Sequence, residues 1–431
     1  MDSFTQTLRR LLQETPVLDP HCHLRAGRPQ ADTLADLVLY HHVWVELVSA
    51  GMPVEATSRA GLPHEVADPD MPPLDRVRAA LPYLHHLRNT TLGYLLRTLL
   101  EDLYGVRGGQ LTEDNLEEVA AQVAERSARE GRAIEVLRDR CGIRKALTVE
   151  ASGRPPIGEV IGLGCESVPT NLLSGKQTPR QILEGMARTL RAELRTGDDY
   201  AAAMQQLGAL RGKSDLHFVG VWVLPSMTLR QPQSGEIDGI LSRAREDRPI
   251  SPEEAGLVCG FGLTHFLLGM REGHLRTIQL IVGAEVLPPH RSITQWSPEL
   301  PGGLARLAGA FEDFAFNCST ASDLFTQDLG ILAKHLPNVS VAGYWWHVLY
   351  PHYIRKSLET RLDMVPANKI VGFFSDAYHA EWCYPKLKLV KQILGEVLVD
   401  RVERGLLTED IAMSLVAPLL HENAARIYGV G

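Results

Sequence analysis

Apolar positions along the chain follow two alternating patterns. Short runs rich in Val, Ile and aromatic residues recur at 17–23, 145–151, 160–167, 217–224, 277–284, 314–320, 338–346 and 369–376, and several are apolar at consecutive positions. Parallel strands covered on both faces have that composition, whereas strands with one wet face alternate. Between the runs lie segments such as TPRQILEGMARTLRAEL and PGGLARLAGAFE, whose apolar residues fall three and four apart on one helix face. From about residue 30 to about residue 140 there is no strand signal. LADLVLYHHVWVELVSAG, LRNTTLGYLLRTLLEDLYG and LTEDNLEEVAAQVAERSAREG all carry helical spacing, and Thr112 with Asp114 and Asn115 marks a helix start. Eight strands alternating with helices predict an α/β fold. The expected form is a closed (β/α)8 TIM barrel over residues 1–431 as a single domain, with a helical insertion at 30–140 after the first strand.

Length and composition agree with that expectation. Such a barrel takes about 250 residues, so a chain of 431 leaves room for the insertion. With 45% hydrophobic and 22% charged residues the composition is that of a globular protein. A net charge of −8 without a basic stripe argues against nucleic acid, His85, His86 and Arg88 being too short a cluster to count. No window approaches the roughly 18 apolar residues of a membrane span. The first segment, MDSFTQTLRRLLQETP, is charged and lacks the apolar core of a signal peptide. Six scattered cysteines without a CxxC pair are expected to be reduced thiols. These features leave the expectation of a cytoplasmic protein, and homo-oligomers are common among soluble proteins.

The sharpest local signal is Asp19-Pro20-His21-Cys22-His23 at the end of the first apolar run. Residues i and i+2 of a strand face one side, so His21 and His23 are expected to project together at the C-terminal mouth of the barrel, where two neutral imidazoles can share a divalent ion. Asp376 closes the eighth run. First and eighth strands are neighbours in a closed barrel, so this carboxylate is expected beside the His pair, as a third metal ligand or as a proton acceptor. Two imidazoles and a carboxylate suit zinc, and also manganese, iron or cobalt.

DPHCHL, the eight-strand pattern and the closing Asp resemble the amidohydrolase superfamily. Within it the chain is most similar to uronate (glucuronate) isomerases. LRNTTLGYLLRTLLEDLYGV resembles their helical insertion, VAGYWWHV their seventh-strand segment, SDAYHAEWCYPKLKLVKQIL their eighth-strand Asp with its Tyr-Pro helix, and HENAARIYGV their C-terminal Asn-Ala-x-Arg helix. The resemblance implies aldose–ketose interconversion of a hexuronic acid, with a metal on His21 and His23 and Asp376 as ligand and base. It places His42, with His41 before it, where the family has a His-Tyr pair that serves proton transfer. Arg426 falls on the family's C-terminal Arg, and Trp346, His347, Tyr378, His379 and Glu285 fall at strand ends where substrate-binding side chains are expected. Strand alternation expects one of Trp345 and Trp346 in the core and the other in the pocket.

Two further positions depart from the family. Ile281 stands where it has a fifth-strand His, and Tyr378 stands where it has an Arg two residues after the aspartate. A phenol cannot copy the bidentate grip of a guanidinium on a carboxylate, so glucuronate and galacturonate are expected to be poor substrates. The alternatives are a hydrolase using metal-bound hydroxide, a non-oxidative decarboxylase, or a ligand-binding barrel without activity. The absence of His from the fifth and sixth strands argues against a binuclear hydrolase, and the long helical insertion argues for the isomerase branch.

Overall fold

The computed structural model describes residues 3–25, 27–57, 71–149, 160–166, 172–173, 177–230, 232–287, 291–294 and 296–431. Each predicted apolar run holds a strand, in chain order β1 (Val17–Cys22), β2 (Ile143–Thr148), β3 (Ile161–Leu163), β4 (Cys165–Glu166), β5 (Val219–Val223), β6 (Thr277–Val282), β7 (Ala284–Leu287), β8 (Arg291–Thr294), β9 (Ala315–Thr320), β10 (Val339–Ala342) and β11 (Ile370–Val371). The third run is broken at Gly164, where a side chain would lie 2.2 Å from the Phe218 ring. The hairpin of β7 and β8 is the one pair not foreseen: it is antiparallel, with Glu285 opposite Ile293.

The chain divides into two compact units, and each is described by itself. The first comprises Met1–Gly162, Tyr350–Arg355 and Phe373–His421. Its sheet has the order β1-β2-β3, and β1 is buried along its whole length. Pro20 has no N–H to give to a ladder, and the register slips there: Asp19 lies opposite Ala146 while Cys22, three residues on, lies opposite Thr148, two residues on. Between β1 and β2 all elements among the described residues are helical, the longer ones being His41–Ser49, Pro73–Leu84, Thr91–Tyr104 and Leu116–Ser127. The Thr91–Tyr104 helix illustrates why. The Thr90 hydroxyl accepts the Gly93 N–H, Gly105 ends it at φ +73, and Leu92, Leu95, Leu96, Leu99, Leu100 and Leu103 bury one face. Each such leucine contributes about 1.5–3 kcal/mol relative to exposure. The predicted start near Thr112 is also present: the Asn115 side chain accepts the Thr112 N–H, and the helix begins at Leu116.

The second unit comprises Leu163–Leu349, Lys356–Gly372 and Glu422–Gly431. It holds a six-stranded sheet of order β11-β10-β9-β6-β5-β4 whose neighbours are all parallel. Ile281 sits in β6 between Trp222 and Ser319 and is buried. All six cysteines are buried, and none is in a disulfide. No helix among the described residues is long and apolar enough to cross a membrane.

Candidate metal centre

Two ends of the chain meet at this site, both in the first unit. The Asp376 N–H donates to the His21 carbonyl at 3.0 Å, and the His23 N–H donates to the Ala377 carbonyl at 2.8 Å, so the segment after β11 continues beside β1. This brings His21, His23 and Asp376 together, with one ligand atom from each lying within 4.8 Å of the others. His21 Nε2 is 3.5 Å and His23 Nε2 is 3.2 Å from Asp376 Oδ1, and the two imidazoles stand nearly perpendicular, 5.2 Å between centroids. Ligands about 2 Å from a common tetrahedral ion are separated by about 3.3 Å. The spacing and the donor set therefore fit a divalent metal.

The electrostatics fit as well. Burial would raise the Asp376 carboxyl, but hydrogen bonds and charge from His21 and His23 outweigh it and hold the group well below the usual carboxylate range. Asp19 is fully buried, and burial pushes its carboxyl up to about 6 against hydrogen bonds from Ser375 and His21. Its Oδ1 takes the Ser375 N–H at 2.9 Å, while Oδ2 has no hydrogen-bond partner among the described residues. A buried carboxylate oxygen without a donor is costly, and a nearby dication reduces that cost.

Asp376 adopts φ +48, one of four non-glycine residues with positive φ among the described residues. A side chain in that region costs on the order of 1–3 kcal/mol, and such residues cluster at functional sites. Trp346, at φ +44, is another of the four.

Compared by sequence, the chain matches no family model and no curated protein. Compared by structure, it matches a uronate isomerase from Thermotoga maritima with a TM-score of 0.82 at 14% identity, covering 99% of this chain and 98% of that one. A glucuronate isomerase from Caulobacter crescentus matches at 0.80 and 18% identity, covering 99% and 94%. A uronate isomerase from Bacillus halodurans matches at 0.74 and 17% identity, covering 100% and 98%. The chain has the uronate isomerase fold. A protein from Lactobacillus casei proposed to be a metal-dependent hydrolase is also similar, at 0.59 and 13% identity.

The other candidates divide between the two units. In the first, the Tyr378 ring lies flat on His23, 4.5 Å between centroids and 6° from parallel, so it braces a cluster imidazole. His41 meets Tyr378 edge-on at 4.8 Å, and buried His42 packs against His41 at 3.8 Å. His379 borders a cavity of about 200 Å³ with Tyr378, Tyr40, Arg25 and Arg76. In the second unit, Trp346 stacks on His347 at 4.8 Å, and both Trp345 and Trp346 meet the edge of Trp222. Trp345 is buried and Trp346 half-exposed. Strand alternation is not the reason, because β10 ends at Ala342 and the pair belongs to the turn beyond it. Arg426 is exposed and donates to the Asn368 carbonyl, while Asn423 Nδ2 donates to the carbonyls of Ala367 and Ile370. The Asn-Ala-x-Arg tail thus stitches the N-terminal edge of β11. Glu285 lies in β7.

Sequence reasoning missed Asp19 as a bracing group, and it missed Tyr40 and Lys386 altogether. Lys386 is completely buried, and its Nζ donates to the Ser375 carbonyl at 2.8 Å, the Tyr40 hydroxyl at 3.0 Å and the Asp376 carbonyl at 3.2 Å. The only available signal was a lysine in the apolar stripe of the helix after Asp376.

Proposed function

We propose that this chain is a metal-dependent enzyme of the uronate isomerase type, interconverting the aldose and ketose forms of a sugar acid or a closely related substrate. The observation that carries the reading is the convergence of His21, His23 and Asp376 within a fold shared with uronate isomerases over nearly the whole chain. The same likeness supports closure of the strands into a (β/α)8 barrel, with the helices at 30–140 as an insertion after the first strand.

His21, His23 and Asp376 would hold the ion, for which zinc is our assignment from the two-nitrogen, one-oxygen donor set. A bound dication would polarise the oxygens at C1 and C2 of the open-chain sugar. Asp376, kept ionised by its His neighbours, accepts a proton in the interconversion and returns it to the adjacent carbon or oxygen. Tyr378 fixes the plane of His23. The His41–His42 pair abuts Tyr378 and relays protons, as imidazoles can near neutral pH. Trp346 and His347 are assigned to substrate contact, and burial lowers the pKa of His347, which favours the neutral imidazole. Glu285 is a further substrate contact in this reading, and Arg426 a weaker one because its guanidinium already serves Asn368.

The test is metal analysis of the purified protein with a screen of uronic and aldonic acids, following interconversion by proton NMR in D2O. Stoichiometric divalent metal and exchange at C2 are expected. Protein with no metal and no turnover would overturn the reading. Because Tyr378 offers no charged grip, glucuronate is expected to react with kcat/KM below about 10⁴ M⁻¹s⁻¹, the lower edge of common enzymes. A second reading, hydrolysis of an ester, lactone or amide, is favoured by Tyr378, which offers a uronate no charged grip, and by the likeness to the Lactobacillus casei protein. Turnover of lactones without C2 exchange would select it.

A further inference from the structure

The segment Ser375–Ala377 uses every main-chain polar group it has. The Ser375 N–H goes to Asp19 Oδ1 and its carbonyl to Lys386. The Asp376 N–H goes to the His21 carbonyl, and its own carbonyl accepts from both Tyr40 Oη, at 3.1 Å, and Lys386 Nζ. The Ala377 N–H goes to Ser375 Oγ at 3.2 Å and its carbonyl to the His23 N–H. The centre of this segment is the residue at φ +48, a backbone state that persists only where its surroundings over-determine it.

Lys386 and Tyr40 supply the part of that clamp that neither β1 nor Asp19 provides. Lys386 lies on the helix Ala380–Glu403, which starts four residues after Asp376, and its ammonium returns to the loop leading into that helix. All three of its N–H donors are engaged, which leaves no lone pair for a nucleophile and no donor for a substrate. Tyr40 is held in turn by stacking on Trp382 of the same helix, 4.4 Å between centroids, and its hydroxyl both donates to Asp376 and accepts from Lys386.

We propose that Lys386 and Tyr40 are positioning residues for Asp376: by gripping its carbonyl they hold the left-handed peptide that turns the carboxylate onto His21 and His23. The inference rests on the metal-binding reading of that cluster. A purely structural role for Lys386 would make its loss a matter of stability alone. A positioning role makes it a matter of metal affinity in protein that is still folded, because supporting groups of ligands typically change affinity by about 10- to 100-fold.

The experiment uses the full chain, stripped of metal and titrated with zinc against a chromophoric chelator, with circular dichroism and a urea midpoint for each variant and the visible spectrum of the cobalt-loaded form. Lys386→Met should weaken zinc binding about 10- to 100-fold. Tyr40→Phe, which removes one oxygen and no charge, should weaken it about 2- to 10-fold. Both should keep native circular dichroism and shift the cobalt spectrum. Folded variants that are less stable but bind zinc within twofold of wild type would overturn the proposal. If Lys386→Met does not fold, Tyr40→Phe decides alone by the same criterion. Asp376→Asn separates the two levels. If it binds zinc as wild type does, or if wild type binds none, the metal reading falls and the inference with it. If it binds weakly while Tyr40→Phe and Lys386→Met match wild type, the inference alone falls.

Discussion

Two strand ends in this protein use one device for different purposes. After β10, in the second unit, buried Arg361 donates to the carbonyls of Gly343 at 2.9 Å and Ala342 at 3.4 Å, and its guanidinium lies over the Tyr344 ring. After β11, in the first unit, buried Lys386 donates to the carbonyls of Ser375 and Asp376. In each case the helix that follows the strand returns a cation to carbonyls at or just beyond the strand end, and in each case a residue with positive φ, Trp346 or Asp376, stands nearby. The difference lies in what is aimed. Beyond β10 the turn presents rings that pack on Trp222, and the cation grips carbonyls three and four residues before Trp346. Beyond β11 the cation grips the peptide of the carboxylate itself. One clamp shapes an aromatic wall, and the other sets the direction of a charge.

The largest expected effect tests the charged end. Asp376→Asn should lower kcat/KM on any substrate found by about 10³-fold or more, the scale of losing a positioned base, with the thermal midpoint shifted by a few degrees at most. Activity within tenfold of wild type would show that another group is the base. Next is the clamp at the aromatic end. Arg361→Met leaves the Ala342 and Gly343 carbonyls without their donor and should cost about 2–4 kcal/mol in urea unfolding, with zinc affinity within twofold of wild type. A matching loss of zinc affinity would erase the contrast between the two ends.

The smallest effect concerns a lysine without such a clamp. Lys391, on the same helix as Lys386, borders a groove of about 940 Å³, and its Nζ makes one hydrogen bond among the described residues, to the Gln13 carbonyl at 3.5 Å. Burial lowers its pKa from 10.5 to about 8. Between those values the unfolded chain binds more protons than the folded one, so this group makes stability rise with pH across that window. Below about 8 the penalty is constant and full. Lys391→Met should therefore stabilise the protein at pH 7 by about 1–2 kcal/mol, allowing for the solvent that reaches the group. The gain should vanish above about pH 10.5. A gain that is flat from pH 7 to 11 would show that the lysine's charge is not what is costly.

The sequence alone determined the eight apolar runs, the helical stretch between the first two strands, and the identity of His21, His23 and Asp376. Those features are local. Burial on both strand faces is written in consecutive Val and Ile, a helix face in spacings of three and four, and a shared side in the HxH that runs off the end of β1. How the aspartate is aimed depends on partners far away in the chain. Its clamp joins Tyr40 to Asp376 across 336 residues, Lys386 to Tyr40 across 346 and Asp19 to Ser375 across 356. No periodicity encodes a hydrogen bond of that range. The left-handed φ of Asp376 was equally invisible, since nothing in Ser375-Asp376-Ala377 marks that state and the partners that hold it are distant in sequence. The β7–β8 hairpin escaped because two four-residue strands carry too few alternations to register. The Asn-Ala-x-Arg tail was visible as a pattern, but its work on the carbonyls before and within β11 emerged only once the last helix was placed against that strand. Hydrophobic patterning fixes which faces are buried. The direction in which a buried charge points is fixed by whatever polar groups the completed fold brings to its backbone.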